Sequence, residues 1–288
     1  MPVALRHIKT ETNKTVTFDF GSDQVLSFVT GIGYWSFTFG SDDHHVQTLA
    51  LSLATNQPDP HRVTARVNAT LSDESGNNIK NSDSSVVVCC AALVNSADMN
   101  LALAGATAIP NNQSSGSIAL PGSNLSIASA FLAGFDLSYG SRDHHVRKLH
   151  TAAGFTANGS QGAITSQASM ADDSGNNAST ATVNGGLVAA SPSETGIMAQ
   201  SETNLQTTDR VEVDFGTALS DAVVMLQDVT LDFSKDHHVK TLGGGVPSWT
   251  LNPTSVTLDS ARAFIKDDSG NNQVDSESGV SVVVFAVP

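Results

Sequence analysis

The sequence predicts an all-β protein made of three tandem small antiparallel β-sandwich repeats, arranged with pseudo-threefold symmetry as a fused trimer. Two recurring tracts carry this expectation. Asp43-His44-His45-Val46 returns as Asp143-His144-His145-Val146 and as Asp236-His237-His238-Val239. Roughly thirty residues after each comes a second tract, in the same order every time. It reads Asp73-Glu74-Ser75-Gly76-Asn77-Asn78, then Asp172-Asp173-Ser174-Gly175-Asn176-Asn177, then Asp267-Asp268-Ser269-Gly270-Asn271-Asn272. The 288 residues accordingly divide into repeats at 1–96, 97–192 and 193–288.

A period of two in the apolar residues is the third observation. Leader strands open the units at Val16 to Gly21, Ile118 to Gly122 and Val211 to Gly216. Pro121 suits a strand end or edge. Before the histidines, Trp35, Phe37 and Phe39 match Phe135, Leu137 and Tyr139, and then Val229, Leu231 and Phe233. Apolar residues at every second position turn one strand face into a core. Val67, Ala69 and Leu71 alternate in the same way before the second tract. A buried closing strand follows at Val86 to Ala91, Gly185 to Ala190 and Val280 to Phe285. Five or six strands per unit suit a small sandwich. Asn95 to Gly116 and Ser191 to Asp209 read as connections that carry the chain to the next unit.

Composition narrows the partners. Lys+Arg total 14 against 28 Asp+Glu, and this balance excludes a nucleic-acid partner, which needs clustered cations. Met1 to His7 lacks the apolar core of a secretory signal. Leu101 to Pro110 is too short to span a bilayer, so no membrane insertion is expected. The expected protein is soluble, and cytoplasmic or exported without a cleaved signal, with extracellular and virion locations included. Cys89 and Cys90 fall on opposite faces of a strand and read as two small buried residues.

The second tract has hairpin chemistry: Asp and Ser bond the local backbone, and Gly supplies the positive φ. Calcium is the alternative, but the oxygen ligands lack the spacing of an EF-hand loop. A third option has Asn77, Asn176 and Asn271 reaching across to the histidine tracts. Candidate ligand-binding residues are these asparagines with Asp43, His44, His45, Asp143, His144, His145, Asp236, His237 and His238. On an extended strand the paired histidines leave on opposite faces, so one unit cannot bring both to one ion. One histidine per unit can converge on the axis, with His44, His144 and His237 as the expected ligands of Zn²⁺ or another divalent metal. A packed, hydrogen-bonded network of the same residues is the structural reading of the same pattern.

The succession of leader strand, alternating strand, central strand and Val-rich closing strand resembles H-type lectin domains. The segments that carry the resemblance are Val16 to Phe20, Trp35 to Phe39, Val63 to Leu71 and Val86 to Ala92, with their counterparts in the later units. The resemblance implies six-stranded antiparallel sandwiches that associate as trimers and bind galactose-type sugars near subunit boundaries. No sugar-contacting residue carries over, because the Asp-His-His-Val tract is not a motif of that family. Tyr34, Trp35, Tyr139 and Trp249 are the candidate aromatic platforms. Trp35 and Tyr139 lie on the alternating face and read as core.

The expected function is therefore non-enzymatic, lectin-like binding of glycans or a cell-surface ligand through repeated sites. A structural component of a fibre, spike or other extracellular or virion assembly is the alternative, and a metal-dependent enzyme the third. The expected state is a monomer with a pseudo-trimeric fold, or a higher assembly of it.

Overall fold

The runs with a period of two form β-strands, and among the described residues there is no α-helix. The structure, a computed structural model, describes residues 2–193, 196–269, 272–273 and 276–288. The first third of the chain holds β1 (Val3–Glu11), β2 (Thr15–Asp19), β3 (Val25–Thr38), β4 (Thr48–Asp59), β5 (Arg62–Ser72) and β6 (Ser85–Val94). The second holds β7 (Leu101–Pro110), β8 (Ile118–Ala119), β9 (Ile127–Ser138), β10 (Val146–Asn158), β11 (Gln161–Ala171) and β12 (Thr180–Ala190). In the last third come β13 (Met198–Leu205), β14 (Val211–Asp214), β15 (Asp221–His237), β16 (Thr241–Gly245) and β17 (Trp249–Leu251). It ends with β18 (Ser255–Leu258), β19 (Arg262–Lys266), β20 (Asn272–Gln273) and β21 (Gly279–Val287).

These strands build several antiparallel sheets, and each large sheet is shared between two thirds of the chain. The orders are β1-β6-β3-β16-β19-β20, then β7-β12-β9-β4-β5-β2, then β13-β21-β15-β10-β11-β8. A smaller sheet, β14-β18-β17, completes the last third. Three pairings therefore join the thirds. In β3·β16, Phe37 lies opposite Leu242. In β4·β9, Leu49 lies opposite Leu137 and Leu51 opposite Phe135. In β10·β15, Leu149 lies opposite Leu231. All of these side chains are fully or almost fully buried. The cross-strand pairs that fix register are thus also core contacts.

The two faces of the shared sheets bury different cores. One cluster contains the junction residues together with Phe18, Trp35 and Val46. The other draws on all three thirds: Leu5, Val87 and Cys89; Phe131 and Val188; Met225 and Phe285. Strands β6, β12 and β21 lie between them and are apolar on both faces, which is why their sequences do not alternate. Cys89 joins the second cluster and Cys90 the first. Both thiols are free and buried. The Cys89 Sγ donates to the Val224 carbonyl at 3.3 Å. Burial pushes both thiols far above the ordinary cysteine value, so neither supplies a thiolate.

Close approach in the second cluster depends on missing side chains. A Cβ at Gly31 would sit 2.6 Å from the Phe131 ring, and one at Gly186 would overlap the same ring. Glycine at both positions lets Phe131 lie directly on backbone from two thirds of the chain.

Two expectations about connections are corrected. The Asn95 to Gly116 and Ser191 to Asp209 segments contain β7 and β13, both end strands of their sheets. Their patterns are weak for a physical reason. An end strand needs one hydrogen-bonded neighbour, so β13 carries Gln200, Ser201 and Glu202 without an apolar face to advertise it. In β7 four of the ten residues are alanine and one is glycine, which gives little contrast between faces.

Met99 stands 91 % exposed in the connection between β6 and β7. A protease site inserted after Met99 and cleaved should leave both fragments in one particle of unchanged elution volume. They should separate only in denaturant, because β4·β9 and β3·β16 hold them together. Fragments that part under native conditions would contradict the shared sheets.

Candidate functional site

Along an extended Asp-His-His-Val tract successive side chains leave on opposite faces. Val46, Val146 and Val239 are fully buried and fasten the tracts to the first core. The tracts also pair with one another. The His44 N–H donates to the Val239 carbonyl at 2.9 Å, and the Val239 N–H returns the bond to His44 at 2.9 Å. Val46 and His144 exchange the same two bonds at 2.8 and 3.1 Å. Val146 lies opposite His237 where β10 meets β15. Each tract thus touches the other two.

This pairing brings the second histidines together. The rings of His45 and His145 are 4.3 Å apart, those of His45 and His238 4.7 Å, and those of His145 and His238 4.5 Å. One ligating nitrogen from each lies within 4.8 Å of the others. His45 and His145 are half-buried and His238 is exposed, so the cluster has a face open to solvent.

The first histidines are not brought together, which corrects the expected metal set of His44, His144 and His237. The pleat turns them away from the cluster, onto rings at the ends of their own alternating strands. His44 packs on Phe39 at 4.8 Å, His144 on Tyr139 at 4.7 Å and His237 on Phe233 at 5.1 Å. Their partners are the leading aspartates of the second tract. His44 Nδ1 lies 3.1 Å from Asp73 Oδ2, and His144 Nδ1 lies 3.2 Å from Asp172 Oδ2.

The second tract forms a turn, with φ of +93° at Gly76 and +90° at Gly175. Inside it, the Asn77 backbone donates to Asp73 Oδ1 at 2.8 Å and its side chain to Oδ2 at 2.6 Å. Asn176 makes the same two bonds to Asp172 at 2.8 and 2.6 Å. These asparagines therefore serve their own turns, although the Asn77 amide also comes within 3.2 Å of His44 Nδ1. Asn271 lies outside the described residues.

Asp43, Asp143 and Asp236 link thirds. Asp143 Oδ2 accepts the Glu74 N–H at 3.1 Å, Asp236 Oδ1 the Asp173 N–H at 2.7 Å, and Asp43 Oδ2 the Asp268 N–H at 3.1 Å. The second oxygen faces the clustered histidines: Asp143 Oδ1 lies 3.2 Å from His45 Nδ1, and Asp43 Oδ1 lies 3.7 Å from His238 Nδ1. Asp236 is among the charges acting on His145.

Burial, and then the neighbouring His45 and His238, hold His145 below the ordinary imidazole value against the pull of Asp236 and Asp172. Burial likewise lowers His237, outweighing Asp267 and Asp236. Neutral imidazoles with a free lone pair are the form that ligates a metal. For Asp73 and Asp172, burial pushes the carboxyl up. The Asn77 and Asn176 bonds, with the adjacent histidine, outweigh it and hold both below the ordinary carboxylate value.

The aromatic platforms are mostly unavailable. Tyr34, Trp35 and Tyr139 are buried. Tyr139 Oη donates to the His145 carbonyl at 3.2 Å. Trp249 is half-buried, packed against His7 with ring centroids 4.3 Å apart, and its indole N–H donates to the Ala222 carbonyl at 3.3 Å. A shallow groove does run between the first and second thirds, lined by Thr30, Thr55, Thr107 and Asn184 among others. No protein-family model matches the chain, and no curated protein matches it significantly.

Asp73 and Asp172 should stabilise the fold only while ionised. A carboxylate whose folded pKa lies below its unfolded value of about 4 contributes above that value, and the contribution fades as pH falls through the folded pKa. Asp73→Asn with Asp172→Asn should therefore lower stability by about 2–4 kcal/mol at pH 7. The gap from wild type should shrink towards pH 2–3. Guanidinium midpoints at the two pH values measure this, and an equal gap at both would contradict the assignment.

Proposed function

We propose that the chain is a non-enzymatic structural module: a fused trimer of β-sandwiches with pseudo-threefold symmetry, serving as a rigid block in a larger assembly. The carrying observation is the sharing of sheets. In each large sheet, the first, last and third strands of one third of the chain meet strands from another third at one antiparallel junction. The three junctions link the thirds in rotation, as subunits of a cyclic trimer would. Fusion into one chain keeps the trimer together at any dilution.

The repeated tracts support the same reading. Val46, Val146 and Val239 plug the core, and Asp43, Asp143 and Asp236 cap turns of a neighbouring third. All three units keep these parts, which suits a joint that every interface needs. A catalytic centre would need only one unit to specialise. The low charge content of 15 % fits a chain in which much of each unit faces another unit.

Lectin-like glycan binding is the second reading, favoured by the groove at the boundary between the first two thirds. A glycan array probed with the intact protein separates the two. The structural reading expects no binding that free sugar competes away. Saturable, sugar-competed binding that is lost in Thr107→Trp, which fills the groove, would overturn it in favour of glycan recognition.

A further inference from the structure

We propose that His45, His145 and His238 form a three-imidazole site for one divalent transition metal of the zinc class, with Asp43, Asp143 and Asp236 as its outer carboxylates. Geometry carries this. Three imidazoles, each from a different third of the chain, sit with ring centroids 4.3, 4.7 and 4.5 Å apart, a nearly equilateral set. Their ligating nitrogens lie within 4.8 Å of one another. In a tetrahedral site with Zn–N of about 2.0–2.1 Å, ligand nitrogens stand roughly 3.3 Å apart. Half-exposed rings reach that separation by moving each nitrogen inward by less than about 1 Å, a small side-chain rotation.

The surroundings suit a metal better than a plain cluster of rings. His45 Nδ1 faces Asp143 Oδ1 at 3.2 Å, and His238 Nδ1 faces Asp43 Oδ1 at 3.7 Å. An imidazole whose Nδ1–H points at a carboxylate is fixed in the tautomer that leaves the Nε2 lone pair free. It is also made more basic, the arrangement found around metal-ligating histidines. Each carboxylate is itself held by a backbone N–H from the third that supplies the histidine it faces or acts on. Three nitrogen donors select zinc, nickel, cobalt or copper over calcium and magnesium, which take oxygen ligands. The exposed face leaves a fourth position for water or an exogenous ligand.

The site also resolves why each unit carries two adjacent histidines. His44 and His144 are committed to Asp73 and Asp172 within their own third. The second histidines pack against one another, and His45 and His238 each face a carboxylate from a neighbouring third. Because the ligands are far apart in sequence, the site exists only in the folded chain, and metal binding should raise the unfolding temperature.

The test uses full-length protein purified without an affinity tag, stripped with chelator, and titrated with ZnCl₂ and CoCl₂. The expected result is one ion per chain, tetrahedral cobalt absorption and a higher unfolding temperature with zinc. His145→Ala should weaken zinc binding at least 100-fold, and Asp143→Asn by about 10–100-fold. His144→Ala should leave zinc affinity within a few-fold while lowering the metal-free unfolding temperature. Near-ultraviolet circular dichroism of each metal-free variant checks the fold. Failure of the wild type to bind either ion would overturn the proposal. So would binding unchanged in a folded His145→Ala protein, or binding lost only in His144→Ala.

Discussion

The structure depends on one constraint: each third of the chain contains half-sheets whose inner edges have no hydrogen-bonding partner within that third. Strands β3, β9 and β15 each present an edge of unpaired N–H and C=O groups, and β16, β4 and β10 cover them. An uncovered edge of this kind exposes a row of polar backbone and invites aggregation. Removing any one third would therefore open edges in both of the others. The pairing also decides the cores, because it places Leu49 on Leu137, Leu149 on Leu231 and Phe37 on Leu242. Each register position is then held by backbone bonds and by buried apolar surface together.

The histidine tracts follow from the same constraint. They lie where the paired strands run out, so the last bonds across each junction are bonds between tracts, such as His44 with Val239 and Val46 with His144. The strand pleat then sorts the residues. Valine goes into the core, the first histidine onto an aromatic ring and its own turn, and the second histidine towards its counterparts. Asp43, Asp143 and Asp236 bind the turn of another third through one oxygen. Through the other, Asp43 and Asp143 face a clustered histidine. The four-residue tract is thus a joint in which every side chain has a separate partner.

Much of this was legible in the sequence. The alternation of Trp35 with Phe37 and of Phe135 with Leu137 identified strands and their buried faces, and the opposite-face rule separated Cys89 from Cys90. The rule also showed that only one histidine of each pair can converge. It could not say which, because that depends on which face of the tract the neighbouring third covers. The roles of Asp73 and Asp172 as histidine partners were hidden for a related reason: a turn aspartate and an imidazole thirty residues away meet only once the strands between them are placed. Strands β7 and β13 carry little signal in the sequence because an end strand can be held by backbone bonds alone. The exchange of strands between thirds left no local signature, since a half-sheet has the same apolar pattern whichever chain segment completes it.

Native-state hydrogen exchange of the junction amides tests the shared-sheet account most directly. The amides of β4·β9, β3·β16 and β10·β15 should exchange only through one global opening, with a common free energy and a common denaturant dependence. If the amides of one third exchanged through a separate, lower-energy opening while the other two stayed protected, the thirds would be independent units. The account of an interlocked chain would then be wrong.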